Sequence, residues 1–290
     1  MTLRIHVVFA TVGRAQLLAR TVDHLADQTR LPDGVIISAT CPEDAQGLGR
    51  SRIATKHVYG DKGLCRQRNR ALRMLEGQSD IVVFLDDDFV PHNDYLAVIE
   101  ETFRADQGIV GATGDLLADG IHGDEIAFDA ARDALARHAL PQQAALRPRK
   151  ALYGCNMAIR LTATQDLWFD EALPLYGWQE DIDFTHQLLD RGRLVSGARL
   201  AGIHLGTRSA RTSGRRLGYS QVANLVHLWR KGTMQPGLGH RLLAQNLASN
   251  AVRSLFPEPH IDRRGRLVGN LMALRDLAVG RIDPRRVETM

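Results

Sequence analysis

The sequence predicts an α/β fold: a Rossmann-like, mostly parallel central sheet followed by a C-terminal helical extension. Three observations carry that expectation. Short β-rich apolar runs at 4–10, 35–39 and 81–85 alternate with stretches whose apolar residues recur at helical spacing, the pattern of strand–helix–strand units with right-handed crossovers. The third run, Ile81-Val82-Val83-Phe84-Leu85, is apolar at every position, as expected of a strand covered on both faces. From the Gly/Pro-rich stretch at 232–239 onward, only helix-period patterns remain.

In chain order, the first run ends at the loop Thr11-Val12-Gly13-Arg14. Leu17, Leu18, Val22 and Leu25 then mark one face of a helix reaching to Thr29. Pro32-Asp33-Gly34 is a turn signal leading into the second strand, 35–39. A basic helix between Lys62 and Glu76 keeps Leu64, Ala71, Leu72 and Leu75 on its apolar side. Past the third strand, 124–140 reads as helix and 151–161 as a strand or loop carrying Gly154. A loop from Phe169 leads to a helix that starts near Glu180 and stops at Gly192. A strand near 194–204 precedes an arginine-rich loop and further helix. The stretch at 232–239 marks a soft boundary, dividing the chain into residues 1–232 and a helical extension, 233–290.

The composition, 44% hydrophobic and 24% charged, is that of an ordinary globular protein with ample core. No apolar run approaches the roughly 20 residues that span a bilayer, and the opening MTLRIHVVFA reads as a strand rather than a signal peptide. Cys41, Cys65 and Cys155, odd in number and widely spaced, offer neither a disulfide framework nor a zinc pattern. A reducing cytoplasm is the expected location. The net charge of +4 conceals an asymmetry: residues 80–133 hold fourteen Asp/Glu against two Arg, whereas 191–257 hold eleven Lys/Arg and no acid. One segment can collect cations and the other anions. No nucleic-acid-binding module accompanies the basic stretch, so nucleic acid is not an expected partner.

Asp86-Asp87-Asp88 directly follow the third strand, at the carboxyl edge where sheets of this kind bind ligands. If strand geometry persists, Asp86 and Asp88 point to one side and Asp87 to the other. Two carboxylates there make a hard-oxygen half-site for Mg2+ or Mn2+; a solvated acidic turn before Pro91 is the plainer reading. Glu180-Asp181 open a helix, where acids ordinarily just complement the dipole. His204 ends an apolar strand, where a lone histidine is ordinarily structural. Arg208, Arg211, Arg215 and Arg216 fall within nine residues, with glycines nearby. They suit either a loop that grips phosphates bidentately or a basic surface loop.

Taken in order, these segments resemble the family 2 glycosyltransferases of the GT-A fold, over roughly residues 4–232. The first strand and its Thr-Val-Gly-Arg loop are similar to the family's opening. Lys62 to Asn69 resembles its Gly…Ala-Arg-Asn segment, with Gln67 in place of the usual alanine. Asp86-Asp87-Asp88 stands at the DxD position, and Gly154 to Arg160 resembles the segment beside the donor sugar. Gly177-Trp178-Gln179-Glu180-Asp181 is similar to the acceptor-side Glu-Asp motif, and His204 falls where many such enzymes supply a third metal ligand. One departure stands out. The family's second strand usually ends in an acid that reads the nucleotide base, whereas here it ends Ser38-Ala39-Thr40, with acids only at Glu43 and Asp44.

The resemblance implies an inverting, metal-dependent transferase that moves a sugar from a nucleotide-diphosphate sugar, a UDP-sugar first, to a glycan or lipid-linked glycan acceptor in bacterial surface polysaccharide synthesis. Asp88 and His204 would hold the ion, mixed carboxylate–imidazole ligation suiting Mn2+ better than Mg2+. Asp86 would contact the ribose and Asp87 either the ribose or the ion. Thr11, Gly13, Arg14 and Arg68 would contact the nucleotide, Asn156 and Trp178 the sugar, and Arg208 and Arg211 the pyrophosphate. Asp181 would be the base and Glu180 would orient the acceptor. A retaining transferase, a sugar nucleotidyltransferase and a non-catalytic nucleotide-binding module are the alternatives. The Glu-Asp pair favours inversion, and Thr11 to Arg14 is too short for a nucleotidyltransferase loop. The leucine- and arginine-rich extension suits packing on the catalytic domain or on a second copy in a homodimer. The sharper reading is a peripheral contact with anionic lipid at the inner face of the membrane.

Overall fold

A computed structural model describes residues 2–121, 123–209, 212–256 and 258–290. They fall into two compact units: Met1–Lys62, Arg66–Trp168 and Gln187–Ala210 form the first, and Gly63–Cys65, Phe169–His186 and Arg211–Met290 the second. The soft boundary read at 232–239 lies inside the second unit, at the turn between two helices.

The described part of the first unit holds β1 (Ile5–Ala10), α1 (Ala15–His24), β2 (Gly34–Ala39), β3 (Thr55–Tyr59), α2 (Leu64–Leu75), β4 (Ile81–Leu85), β5 (Phe89–Pro91), α3 (Tyr95–Ala105), β6 (Ile109–Asp119), α4 (Phe128–Arg137), β7 (Arg147–Arg149), β8 (Asn156–Arg160) and β9 (Arg193–His204), with the first turn of α2 counted in the second unit. The strands form one sheet in the order β3-β2-β1-β4-β8-β6-β9-β5, with β7 also paired to β9. β3, β2, β1 and β4 are parallel neighbours. Their carboxyl ends therefore share one edge, and the loops after residues 10, 39 and 85 gather there. β8 enters antiparallel beside β4, with Asn156 opposite Leu85. β6 runs parallel to β9, and β5 pairs antiparallel with β9 so that Phe89 lies opposite His204. That last pairing brings the end of β9 back to the aspartate triplet.

Every residue of β4 is buried, which is why its sequence is apolar throughout. The core joins Ile5, Val7 and Phe9 of β1 to Leu18 and Val22 of α1 and to Leu96, Ile99 and Phe103 of α3. Each such side chain contributes on the order of 2 kcal/mol of transfer free energy. The first helix ends at His24 and tightens into a 3-10 turn through Asp27, short of Thr29. α4 is shorter than the 124–140 stretch, and 151–161 contains the strand β8. β3, β5, α3 and β6 go beyond the sequence prediction. β6 carries Gly111 and Gly114, which read as loop residues in isolation; a Cβ on Gly114 would collide with the Leu200 carbonyl, so glycine here permits the close approach of β9.

In the second unit, α5 (Glu180–Leu188) begins where the sequence places it and ends before Gly192. Its last two residues are counted in the first unit. α6 (Gly214–Lys231), α7 (Pro236–Arg253) and α8 (Arg263–Ala278) follow. Ser213 caps α6 by accepting from the Arg216 N–H, Gly232 ends it in the left-handed region, and Asp262 caps α8 through the Gly265 N–H at 2.7 Å. Gly218 and Gly269 let the α6 and α8 backbones touch, since a Cβ on either would strike the other helix. Around that crossing, Tyr219, Val222 and Val226 pack on Ala273, Ile282 and Val287. Buried amides fill the remaining interior: Asn250 donates to Gln221 and Asn270 at 2.8 Å each, and Asn270 donates to the Gly218 carbonyl at 2.7 Å. Among the described residues, no helix is long and apolar enough to cross a membrane.

Candidate active site

At the carboxyl edge of β4 the three aspartates divide their partners as strand alternation demands. Asp87 turns toward β1: its Oδ2 accepts from the Thr11 hydroxyl at 2.7 Å and its Oδ1 from Arg14 at 2.8 Å. Its carbonyl accepts from Thr21 on α1 at 2.8 Å. Burial pushes the Asp87 carboxyl up to about 6, against the pull of Arg14 and Thr11. Arg14 also donates to the carbonyls of Thr207 at 3.1 Å and Ser209 at 2.8 and 3.0 Å. One guanidinium thus ties the loop after β9 to the triplet.

Asp88 and His204 form the centre of the site. The His204 Nε2 lies 3.2 Å from the Asp88 Oδ1, and the Thr207 N–H donates to the Asp88 Oδ2 at 2.9 Å. The other ring nitrogen, Nδ1, lies 3.1 Å from the Asp119 Oδ1 at the end of β6. Asp119 is itself held by the Ile121 N–H at 3.0 Å and the Tyr153 hydroxyl at 3.2 Å. Burial disfavours a charged imidazole, but the two carboxylates outweigh it and raise the His204 pKa to about 10. Burial likewise opposes charge on Asp88, yet His204 and Arg14 hold it below the usual carboxylate range.

Asp86 points to the same side as Asp88, and its neighbour is Arg68 at 3.5 Å. Arg68 is almost wholly buried and donates to the Gly154 carbonyl at 2.8 Å. Asp86, Asp88 and His204 each present one ligand atom, all within 4.8 Å of one another. Two hard oxygens and one imidazole nitrogen fit a divalent ion with bonds of about 2.0–2.4 Å and leave positions for water or phosphate oxygens. Asp119 fits this too: a carboxylate on Nδ1 fixes the ring so that Nε2 faces the carboxylate pair.

Gly13, at φ +69°, donates its N–H to Asp44 at 2.6 Å. Asp44 also accepts from the Thr40 N–H at 3.1 Å and hydroxyl at 2.5 Å. Burial opposes its charge, but these donors bring its pKa below the usual range. Asp44 thereby binds the loops after β1 and β2 together. In the second unit, the residues before α5 are conformationally strained: Leu175 and Gln179 have φ of +56° and +74°, with Gly177 at +62° between them. The Asn224 amide holds the Trp178 carbonyl at 2.8 Å. Glu180 and Asp181 are the first residues of α5, Glu180 buried and Asp181 half-buried. The next acid, Asp183, is fully buried, pairing with Lys231 at 2.7 Å and accepting from Thr233 at 2.5 Å.

The family profile described as glycosyl transferase family 2 matches residues 6–167, more than half of the chain. The chain belongs to glycosyl transferase family 2. No curated protein sequence matches this glycosyltransferase significantly. Among solved structures it is similar to the mannosyltransferase PcManGT from Pyrobaculum calidifontis in complex with GDP-Man and Mn2+, at 16% identity and a TM-score of 0.55, covering 96% of this chain and 76% of that one. It is also similar to S. aureus TarS 1–349, at 13% identity and a TM-score of 0.56, covering 99% of this chain and 82% of that one. The α/β fold is thus the GT-A class that the sequence predicts.

Within the first unit of this family 2 glycosyltransferase, the structure assembles Thr11, Arg14, Asp86, Asp87, Asp88 and His204 at one edge. Asp86 stands with Asp88 and His204 rather than apart from them. Asn156 is fully enclosed: its Oδ1 accepts from the Thr113 hydroxyl and from the Gly114 N–H at 3.1 Å, tying β8 to β6. Arg208 donates to the Gly123 carbonyl at 3.2 Å and pairs with Asp124 at 3.3 Å. Arg211 lies outside the described residues. Sequence reasoning notes Asp44 without giving it a role and passes over Asp119 and Asp183. The only local signal for Asp119 is its place after the apolar Leu116-Leu117-Ala118, since its partner is 85 residues away.

Proposed function

We propose that this glycosyltransferase moves a sugar from a nucleotide-diphosphate sugar to a hydroxyl of a glycan or lipid-linked glycan, with inversion, in surface polysaccharide synthesis. The observation that carries the reading is the Asp86–Asp88–His204 cluster at the sheet's carboxyl edge, with Asp119 behind His204. A divalent ion there, Mn2+ before Mg2+ because of the imidazole, would neutralise charge that gathers on the diphosphate as the glycosidic bond breaks. Thr11 and Arg14 hold Asp87 and the loop after β9 in place around that charge. Gly13 and Arg68 are the proposed nucleotide contacts, and Arg208 and Arg211 the proposed contacts to the pyrophosphate. Asp181 accepts the proton of the attacking hydroxyl, Glu180 orients the acceptor, and Trp178 offers a face to a sugar. The strained backbone leading into α5 supports a working role for this segment. A UDP-sugar is the proposed donor, and the GDP-Man complex of a structural neighbour makes GDP-sugars the next to try. Residues 1–232 are proposed as the catalytic domain, 233–290 as an extension that meets a membrane or a second copy.

The test is a panel of nucleotide sugars scored by thermal shift with and without Mn2+, followed by transfer assays on two variants. Asp181→Asn should lose transfer at least a thousandfold while metal-dependent nucleotide binding stays within twofold. Surviving transfer would remove Asp181 from the role of base. Asp88→Ala should abolish the metal dependence of nucleotide binding, and unchanged binding would remove the metal role.

A further inference from the structure

The end of the α7–α8 hairpin departs from what a buried extension would show. Leu255 and Phe256 are 74% and 71% exposed, and Val252, Val268 and Leu271 are exposed beside them. The α8 members are not scattered. Arg264, Val268, Leu271 and Arg275 recur at i, i+4, i+7 and i+11, so one stripe of the helix presents two apolar residues between two arginines. Arg264 donates through Nε to the Ser254 carbonyl at 3.2 Å, which seats this stripe next to Leu255 and makes the two parts one surface. The acids of the turn are already engaged. Glu258 pairs with Arg253 at 2.6 Å and with Arg263, and Asp262 caps α8. Residues 211–290 carry fourteen Lys/Arg against five Asp/Glu. A surface with protruding large apolar side chains, flanking arginines and no unengaged acid matches an anionic lipid bilayer, whose acyl region takes Leu255 and Phe256 while its phosphates meet the arginines. A second copy fits less well, because a two-fold contact would set the arginines of this patch against themselves.

We infer that this patch, centred on Leu255, Phe256, Leu271, Arg264 and Arg275, docks the enzyme on an anionic membrane surface. The inference gives a location to the lipid-linked acceptor proposed for the active site, and its test does not depend on that acceptor. The full chain is sedimented with vesicles of phosphatidylcholine alone and of phosphatidylcholine with 30 mol% phosphatidylglycerol, at low and high salt. Wild type should pellet with the anionic vesicles and release in high salt. Leu255→Asp/Phe256→Asp should lower the partition at least tenfold, and Arg264→Gln/Arg275→Gln should remove the preference for the anionic lipid. Absence of vesicle binding, binding indifferent to both double variants, or patch-dependent dimerisation in place of vesicle binding would each overturn the inference. Nucleotide and Mn2+ binding, followed in the same variants, should remain as in wild type. Failure of the membrane surface is thereby read separately from failure of the proposed transfer chemistry.

Discussion

His204 sits between two carboxylates, and its charge joins those of Arg14 and Arg68 in balancing the aspartates when no metal is bound. Its pKa is raised, so its contribution to metal-free stability is complete below the unfolded value near 6.5 and is lost as pH rises through about 10. Asp88 acts at the other end: its pKa is lowered, so its contribution exists above the ordinary carboxylate range and fades as pH falls. Urea unfolding of the metal-free protein should therefore show stability declining from pH 7 to 10, and His204→Gln should flatten that slope. Metal binding must displace the proton, so Mn2+ affinity should rise about tenfold per pH unit between pH 7 and 9. A pH-independent affinity would exclude His204 as a ligand. Asp119→Asn should weaken Mn2+ binding by about 10- to 100-fold while the protein stays folded, the range found for a partner behind a ligating histidine. The aspartate triplet and His204 could be picked out from sequence because each ends an apolar run. Asp119 also follows an apolar run, but its meaning depends on a pairing between β6 and β9 that only the folded sheet creates.

At the scale of elements, the mainly apolar strands β1, β2 and β4 match their predicted limits to within a residue. Burial on both faces leaves such strands little alternative. Element ends and mixed-sheet strands were harder to read: β6 contains glycines for close packing, and β3 is an edge strand with three of its five residues exposed. The start of α5 was legible as a cap with acids, but those acids do different jobs. Asp183 is an anchor, fixed by Lys231 and Thr233 at the end of α6. Lys231→Met leaves that carboxylate buried without its cation and should destabilise the protein by about 3 kcal/mol in urea titrations. Adding Asp183→Asn should recover part of the loss, and full additivity of the two substitutions would show that the pair is not coupled. Gln179 tests the strain directly. Gly accepts φ +74° without the penalty that a Cβ brings, so Gln179→Gly should raise stability by about 1 kcal/mol.

Across the whole molecule, the acidic stretch at 80–133 is not the broad cation-collecting surface that its sequence suggests. Arginines distant in the chain pair with six of its fourteen acids: Arg4 with Asp80, Arg20 with Asp129, Arg30 with Glu100, Arg147 with Asp115, Arg193 with Asp106 and Arg199 with Glu101. Charge runs in a sequence are one-dimensional, and folding redistributes them. Most of these pairs are exposed and contribute little each, so salt should alter the metal-free stability only modestly. The cluster of Asp86, Asp88 and His204 differs, because its carboxylates converge on one point and can be satisfied together by a divalent ion. Mn2+ at about one hundred times its dissociation constant should then add roughly 2.7 kcal/mol to stability. For a chain of this size that corresponds to a rise in melting temperature of roughly 4 to 5 °C. A chelator should reverse the rise, Asp88→Ala should eliminate it, and Arg193→Gln should leave it unchanged while removing one of the exposed pairs. If Asp88→Ala kept the full Mn2+ shift, the ion would be binding elsewhere among the acids, and the triplet would be no more than the polar end of a buried strand.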